Sequence, residues 1–170
     1  TTVRTDYRVI LSGINAEAAL NGLWMLGEKR ESHAHVLIDH QAPECRSRQL
    51  FKGVLNGFSR SSFEGKILVR QIAQKTDAFQ LNNNLLLSDG ATADSKPNLE
   101  IFADDVKASH GATFGQLDAE QLFMLRSRGI SEAYAKNLLV YGFCQEVIDL
   151  VSVPSVLHNL SRRAREVKEE

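Results

Sequence analysis

The sequence predicts a mainly β chain that ends in a small helical unit, and three observations carry that prediction. From residue 3 to about residue 115, short runs rich in β-branched and aromatic residues alternate with period two, and Gly13, Gly22, Gly57, Gly65, Gly90 and Gly111 punctuate them. Little helical periodicity intervenes between those runs. After residue 117 the apolar spacing changes to threes and fours. A chain of 170 residues supports one sizeable core plus a small appendage, since a domain of that length hides roughly 70% of its unfolded surface. The expected division is a β body over residues 1–117 and a helical unit over residues 118–170.

The runs YRVILSG, AHVLIDH, KILVRQIA and NLEIFADDVKA read as strands. Sandwich, barrel and β-solenoid all accommodate such a series. Two stretches favour the solenoid. QLNNNLLLSDGA sets three asparagines beside three leucines, which suits stacked turns in which amides pair along a ladder and leucines fill the axis. FSRSSFEGKILV supplies a second unit of that kind, a polar turn followed by a strand. No repeat of fixed length is visible, so solenoid and sandwich both stay open on pattern alone.

Asp118, with Gln121 three residues on, reads as a capping box; Leu122, Phe123 and Leu125 form the apolar face of the helix it opens, and Gly129 ends that helix as the C′ residue. Ser131 caps a second helix, EAYAKNLLVYGFCQEVIDLV, whose Ala135, Leu138, Leu139, Phe143 and Val147 follow one face. Pro154 opens a third, with Val156, Leu157, Leu160, Ala164 and Val167 on one side and Arg162, Arg163, Arg165 and Lys168 mostly on the other. The tail REVKEE is expected to fray. So small a bundle cannot bury every stripe on itself: packing on the β body is the expected arrangement, and a face kept for a partner is the alternative.

Charge and cysteine usage exclude several classes. Lys+Arg 20 against Asp+Glu 21 leave a formal net charge of -1, so no global field recruits nucleic acid or anionic lipid, and neither partner is expected. Cys45 and Cys144 lie far apart and match no CxxC or Cys/His finger spacing, which argues against a disulfide framework or structural zinc and fits a reducing compartment. Apolar stretches fall well short of the roughly 20 residues of a membrane span, and TTVRTDYRVI shows no signal-peptide pattern. The strand-like start reads as a cut through a larger sheet.

Candidate chemistry centres on histidine. His33 and His35 in SHAHV share one strand face, a spacing that can chelate a metal, although a polar outer face is the simpler reading. His40 in DHQAP reads as a solvated turn residue, and His158 as an exposed helix residue. His110 follows a strand and precedes Gly111, which permits close backbone approach; it could be a ligand, a proton carrier or a turn residue. Asp104 and Asp105, adjacent in the same strand, point to opposite faces and make a poor acid/base couple. A triad of Ser109, His110 and Asp105 lacks the geometry that triads need, and no G-x-S-x-G elbow, Walker A loop, GxGxxG fingerprint or HExxH motif is present. Arg46 and Arg48 would activate the Cys45 thiol if they pointed at it; Cys144 reads as a small core residue.

The stretch KPNLEIFADDVKASHGATFGQLDAEQLFMLRSRGI, residues 96–130, closely resembles the signature of the SufB/SufD family of the SUF iron-sulfur cluster assembly system, its SufD branch in particular. ECRSRQLFKGVLNGFSRSSFEGKILV, TDAFQLNNNLLLSDGA and the helix segment LLVYGF look like the neighbouring segments of that family, so the likeness covers nearly all of residues 30–150. The resemblance implies a right-handed parallel β-helix followed by a helical C-terminal domain, of which this chain is the C-terminal part. It further implies a non-catalytic scaffold that binds the ABC-type ATPase SufC through the helices, here with Leu122, Phe123, Arg126, Arg128 and Tyr134 as contact candidates, and SufB through the β-helix. ATP hydrolysis would belong to SufC, and ATP-driven movement of residues 118–150 would re-aim the His110 turn. The SHGAT histidine of the family, matched by His110, is implied to be a cluster-site and metal-ligating residue for a nascent iron-sulfur cluster, with no cofactor held tightly by this chain alone. Some SufD sequences carry cysteine two positions earlier, where this chain has Ala108, so further ligands would come from the partner. The implied location is cytoplasm, or plastid stroma in a plant or alga. A β-helix enzyme acting on polysaccharide, which would need a carboxylate or basic cluster along one face, and a plain dimerisation module are the competing readings; a homodimer through the solenoid end or the β-helix edge is also expected.

Overall fold

In the computed structural model, residues 1–165 are described. The expected fraying of REVKEE, the placing of Val167 and Lys168, and the side chains of Arg163 and Arg165 lie outside the described residues.

Period-two patterning produces eight strands: β1 (Thr2–Leu11), β2 (Glu17–Leu26), β3 (Glu31–His40), β4 (Arg46–Leu55), β5 (Arg60–Val69), β6 (Thr76–Leu86), β7 (Thr92–Ile101) and β8 (Val106–Gly115). They form two four-stranded sheets, ordered β1-β3-β5-β7 and β2-β4-β6-β8, and every pairing is parallel. Successive strands alternate between the sheets, so each two strands make one coil and the coils stack. The body is therefore a parallel β-solenoid of four coils. No single coil could bury its apolar face; stacking supplies the core.

The missing fixed repeat has a structural cause. Stacked side-chain partners lie 29 residues apart in the early coils and 30 to 32 apart in the later ones. The difference is absorbed at the corners. Asn15, Glu44 and Lys75 stack at one corner with φ of 61°, 60° and 59°, a left-handed conformation that costs about 1–2 kcal/mol for residues other than glycine. Each of their amides offsets that cost by donating to the next coil, to the carbonyls of Pro43, Gln74 and Asp105.

Several sequence readings change at this level. The segment EAALNGLWML is a strand that the pattern did not reveal, because Gly22 interrupts it; a Cβ there would overlap the Phe51 ring of the next coil. NLEIFADDVKA is two strands, with a corner at residues 102–105, so Asp104 and Asp105 are corner residues and not strand neighbours. In β6 the inward positions are Ala78, Gln80, Asn82 and Asn84, all buried, whereas Leu81 faces outward. The amides therefore line the interior: Gln80 Nε2 donates to Gln49 Oε1 (3.1 Å), Asn82 Nδ2 to the Phe51 carbonyl (3.3 Å) and Asn84 Nδ2 to Asn82 Oδ1 (2.9 Å). Of the three leucines of that stretch Leu85 faces outward, and the axis is filled by Phe51, Phe63, Val36, Ile38, Ile67 and the fully buried Leu55, with the two phenyl rings 4.7 Å apart.

Helices α1 (Ala119–Ser127), α2 (Glu132–Ile148) and α3 (Pro154–Arg165) follow. Asp118 Oδ1 accepts from the amides of Glu120 (2.8 Å) and Gln121 (3.0 Å), Ser131 Oγ accepts from Tyr134 N, and Gly129 takes the positive φ of 85° that a C′ residue needs. The buried stripe of α2 is Ala135, Val140, Cys144, Val147 and Ile148, rotated from the expected one; Leu138 is exposed, and Leu139 and Phe143 are half-buried. The reason is the docking site. Outward residues Val54 and Leu85 of β4 and β6 join Val140, Cys144, Ile148 and Ala164 in one cluster, flanked by Leu23, Met25, Leu157 and Leu160. Lys52, also outward on β4, is covered by α2: its Nζ donates to the Phe143 carbonyl (2.9 Å), pairs with Glu146 Oε2 (2.6 Å) and lies 4.6 Å from the Phe143 ring centroid. The bundle thus packs on the β body and still leaves Phe123, Met124, Tyr134 and Leu138 exposed.

Candidate functional site

β7 and β8 are the last strands of their sheets, and their outer edges are unpaired. Pro97 in β7 removes an amide donor, a common way of blunting an edge, whereas β8 carries no proline. His110 lies in the middle of β8, not in a turn, and Gly111 is the next strand residue, packed over Leu81. In the parallel register His110 pairs with Gln80, Ala108 with Ala78 and Ala112 with Asn82. In-register residues of a parallel sheet point to the same side, and Gln80, Ala78 and Asn82 are interior residues. His110 therefore belongs to the inward stripe of the final coil. It is nonetheless exposed, because no fifth coil covers it. Phe114, Ile101 and Phe102 are exposed at the same end.

Ser109 and Gly111 face the other side of the strand, so Ser109 cannot join His110, and Asp105 sits in the corner that opens β8. No triad forms. Ala108, two residues before His110, shares its stripe; a thiolate there would stand beside the imidazole, and the methyl group of this chain offers no ligand. His110 is thus set in a hydrogen-bonded strand, and not in a flexible turn; that strand ends at Gly115, where it gives way to the segment leading to the helices.

The other histidines resolve differently. His33 Nδ1 is 2.7 Å from Ser62 Oγ, and His35 Nδ1 is 3.5 Å from Asp6 Oδ1, both on the outer face of the first sheet. On that face Asp6, Glu64 and Glu100 are paired with Arg4, Lys96 and Lys66. Among the described residues no three His, Cys, Asp or Glu side chains stand together as a metal site. His40 is not a solvated turn residue: it is the last residue of β3, fully buried, with Nε2 2.9 Å from Ser47 Oγ. Burial pushes its pKa down to about 4, against a weaker opposing pull from the Asp39 carboxylate. Arg46 and Arg48 turn away from Cys45 to Glu17 and Asp77, and the buried Cys45 thiol donates to the Gly13 carbonyl (3.2 Å). Cys144 is buried as expected, and burial raises its thiol pKa to about 11. His158 is exposed.

On the helical unit, Phe123 is 72% exposed and Tyr134 64%, Leu122 is half-buried, Arg126 pairs with Glu132 (3.2 Å), and Arg128 caps the C-terminus of α1. Phe123, read as part of the inward face of α1, points away from the body; α1 has no fully buried residue. Met124 and Phe114 join this exposed set without having been marked in the sequence; their surroundings depend on the docking angle and the coil end, which no local pattern encodes.

A four-coil parallel solenoid with an exposed histidine at its open end and a helical unit docked on one outer face defines the class: a β-helix core that hands over to a C-terminal helical domain. The chain belongs to the SufBD family of iron-sulfur cluster assembly proteins, as a match of residues 1–143 to the SUF system FeS cluster assembly, SufBD core domain, shows. It is 42% identical over 167 residues to an iron-sulfur cluster assembly SufBD family protein of Mycobacterium tuberculosis, covering 94% of this chain and 42% of that protein. Similarity to the iron-sulfur cluster assembly protein SufD of Escherichia coli is 43% identity over 139 residues, 82% of this chain and 33% of that protein. Protein ABCI7, chloroplastic, of Arabidopsis thaliana is 42% identical over 118 residues, 69% of this chain and 24% of that protein. The chain thus spans less than half the length of these curated relatives.

Proposed function

We propose that the chain is the C-terminal part of a SufD-like scaffold subunit, one that joins a SufB-like subunit at the open end of its solenoid and an ABC-type ATPase at its helical unit. A role in iron-sulfur cluster assembly follows from the family. The observation that carries the finer reading is the position of His110: an imidazole on an edge strand, on the same stripe as the exposed Phe114, and among the described residues outside any cluster of three or more His, Cys, Asp or Glu side chains. A ligand so placed works only when a partner covers the strand edge and completes the donor set. The nascent cluster is the cargo of that site, and the chain itself performs no turnover.

Phe123 and Tyr134, with Leu122, Arg126 and Arg128 around them, form the ATPase-binding surface in this reading. Their support is the large apolar exposure on a unit otherwise anchored by its opposite side. Capture of the ATPase by the full-length protein tests it: Phe123→Ser with Tyr134→Ser should abolish co-purification while leaving the fold intact, and undiminished capture would sink the assignment. Among the described residues no helix is long and apolar enough to cross a membrane. Cytoplasm, or plastid stroma as the chloroplastic relative suggests, is the proposed location.

A further inference from the structure

Inside the second sheet, the register stacks Leu20, Gln49, Gln80 and His110 in one column, one residue per coil. Gln80 and Gln49 are fully buried, and the hydrogen bond between them has a direction: Gln80 Nε2 donates down the axis to Gln49 Oε1 at 3.1 Å. In a planar amide that orientation turns the oxygen the other way. Gln80 Oε1 is buried and has no partner, and its mate at the lower end, Gln49 Nε2, is likewise unpaired where the column meets Leu20. The ladder therefore runs from an orphaned donor to an orphaned acceptor. The residue above the acceptor is His110, whose exposed ring has room to rotate toward it. Gly65 makes the arrangement possible, since a Cβ at that position on the facing strand would overlap Gln80 Nε2.

We propose that Gln80 is a positioning residue for His110: its Oε1 accepts a hydrogen bond from one ring N–H and so fixes which imidazole nitrogen keeps its lone pair toward the open end of the solenoid. A buried carbonyl oxygen left unpaired costs about 1–3 kcal/mol, so pairing is favoured whenever the ring can reach it. A histidine with one nitrogen pinned by an acceptor presents the other as a ligand of defined direction, the arrangement that outer-shell partners impose on metal-binding imidazoles. The inference rests on the reading of His110 as a cluster-site residue, but its test does not.

The test uses the full-length protein labelled with 15N at histidine only, without iron, in the neutral-ring pH range. Loss of one signal in His110→Gln assigns the residue, and the exposed His158 serves as an internal reference for an unconstrained ring. One neutral tautomer of His110 should exceed the other by about fivefold more than at His158, the bias that a net hydrogen bond of about 1 kcal/mol confers. Gln80→Leu should bring the two rings to the same ratio, and Gln80→Glu, which keeps an acceptor, should restore the bias. Should Gln80→Leu fail to fold, Gln49→Leu with Gln80→Leu removes both halves of the buried pair and leaves no orphan. A His110 ratio unchanged in the leucine variants, or indistinguishable from His158 in the wild type, overturns the proposal. Cluster assembly is measured separately: if His110→Ala assembles clusters normally while the tautomer still depends on Gln80, the ligand reading fails and the positioning role stands.

Discussion

Lys52 offers the sharpest test of how the helical unit is held. Its side chain is 6% exposed, whereas that of its partner Glu146 is 60% exposed. Removing Glu146 leaves a buried ammonium with only the Phe143 carbonyl and ring; a lost charged hydrogen bond costs about 1.5–3 kcal/mol, and solvent access at the carboxylate places Glu146→Ala nearer the lower end, about 2 kcal/mol. Lys52→Met forfeits the same pair and a cation–π contact of about 1 kcal/mol. It also removes the desolvation of the ammonium, so the net cost should stay below about 1 kcal/mol. The counterintuitive order, with the exposed residue mattering more than the buried one, distinguishes a buried charge held by its partner from simple packing. Native-state hydrogen exchange at Val140, Cys144 and Ile148 reports undocking of α2 directly. Protection there should fall about 30-fold in Glu146→Ala and less than about 5-fold in Lys52→Met. The reverse order would refute the reasoning.

Three other outcomes follow from the same structure. His40 has a folded pKa near 4 against an ordinary 6.5, so its contribution is present above about pH 6.5 and is lost as pH falls toward 4, on the order of 3 kcal/mol; denaturation midpoints measured across that range should decline, and His40→Gln should flatten the decline. Gly53→Ala drives a Cβ into Trp24 Nε1 and Asn84 Oδ1 and should destabilise by about 1–3 kcal/mol, whereas Gly13→Ala, whose Cβ meets nothing within 4 Å, should change the midpoint little. Cys45 and Cys144, both buried, should resist alkylation at neutral pH until denaturant unfolds the chain; prompt labelling of either in the folded protein would contradict the burial.

Much of the architecture was legible because it is local. Period-two runs marked most of the strands, and Asp118, Ser131, Gly129 and Pro154 marked the helix boundaries, since capping is a matter of a few neighbouring atoms. What escaped was set across coils. The inward turn of Asn82 and Asn84 depends on register with Phe51 and Gly53, about thirty residues away, and the sequence window shows only polar residues beside leucines. His40 looked like a turn residue because its neighbours are polar, yet the corner begins one residue later and its side chain falls on the inward phase of β3. The exposed stripe of α2 was misjudged for a related reason: Lys52 and the surface of β4 choose which face docks, and hydrophobicity along α2 is too even to choose alone. At the candidate site, the histidine was visible through its motif, whereas the unpaired Gln80 oxygen beneath it was not, because a thirty-residue stacking distance with a drifting period leaves no local signature.

The measurement that bears most directly on the scaffold reading is the iron and acid-labile sulfide carried by the assembled complex when its full-length SufD-like subunit bears His110→Ala. Cluster content should fall at least several-fold while the ATPase and the SufB-like subunit co-purify in unchanged proportion. Wild-type cluster content in a complex of unchanged composition would show that His110 is not part of the assembly site.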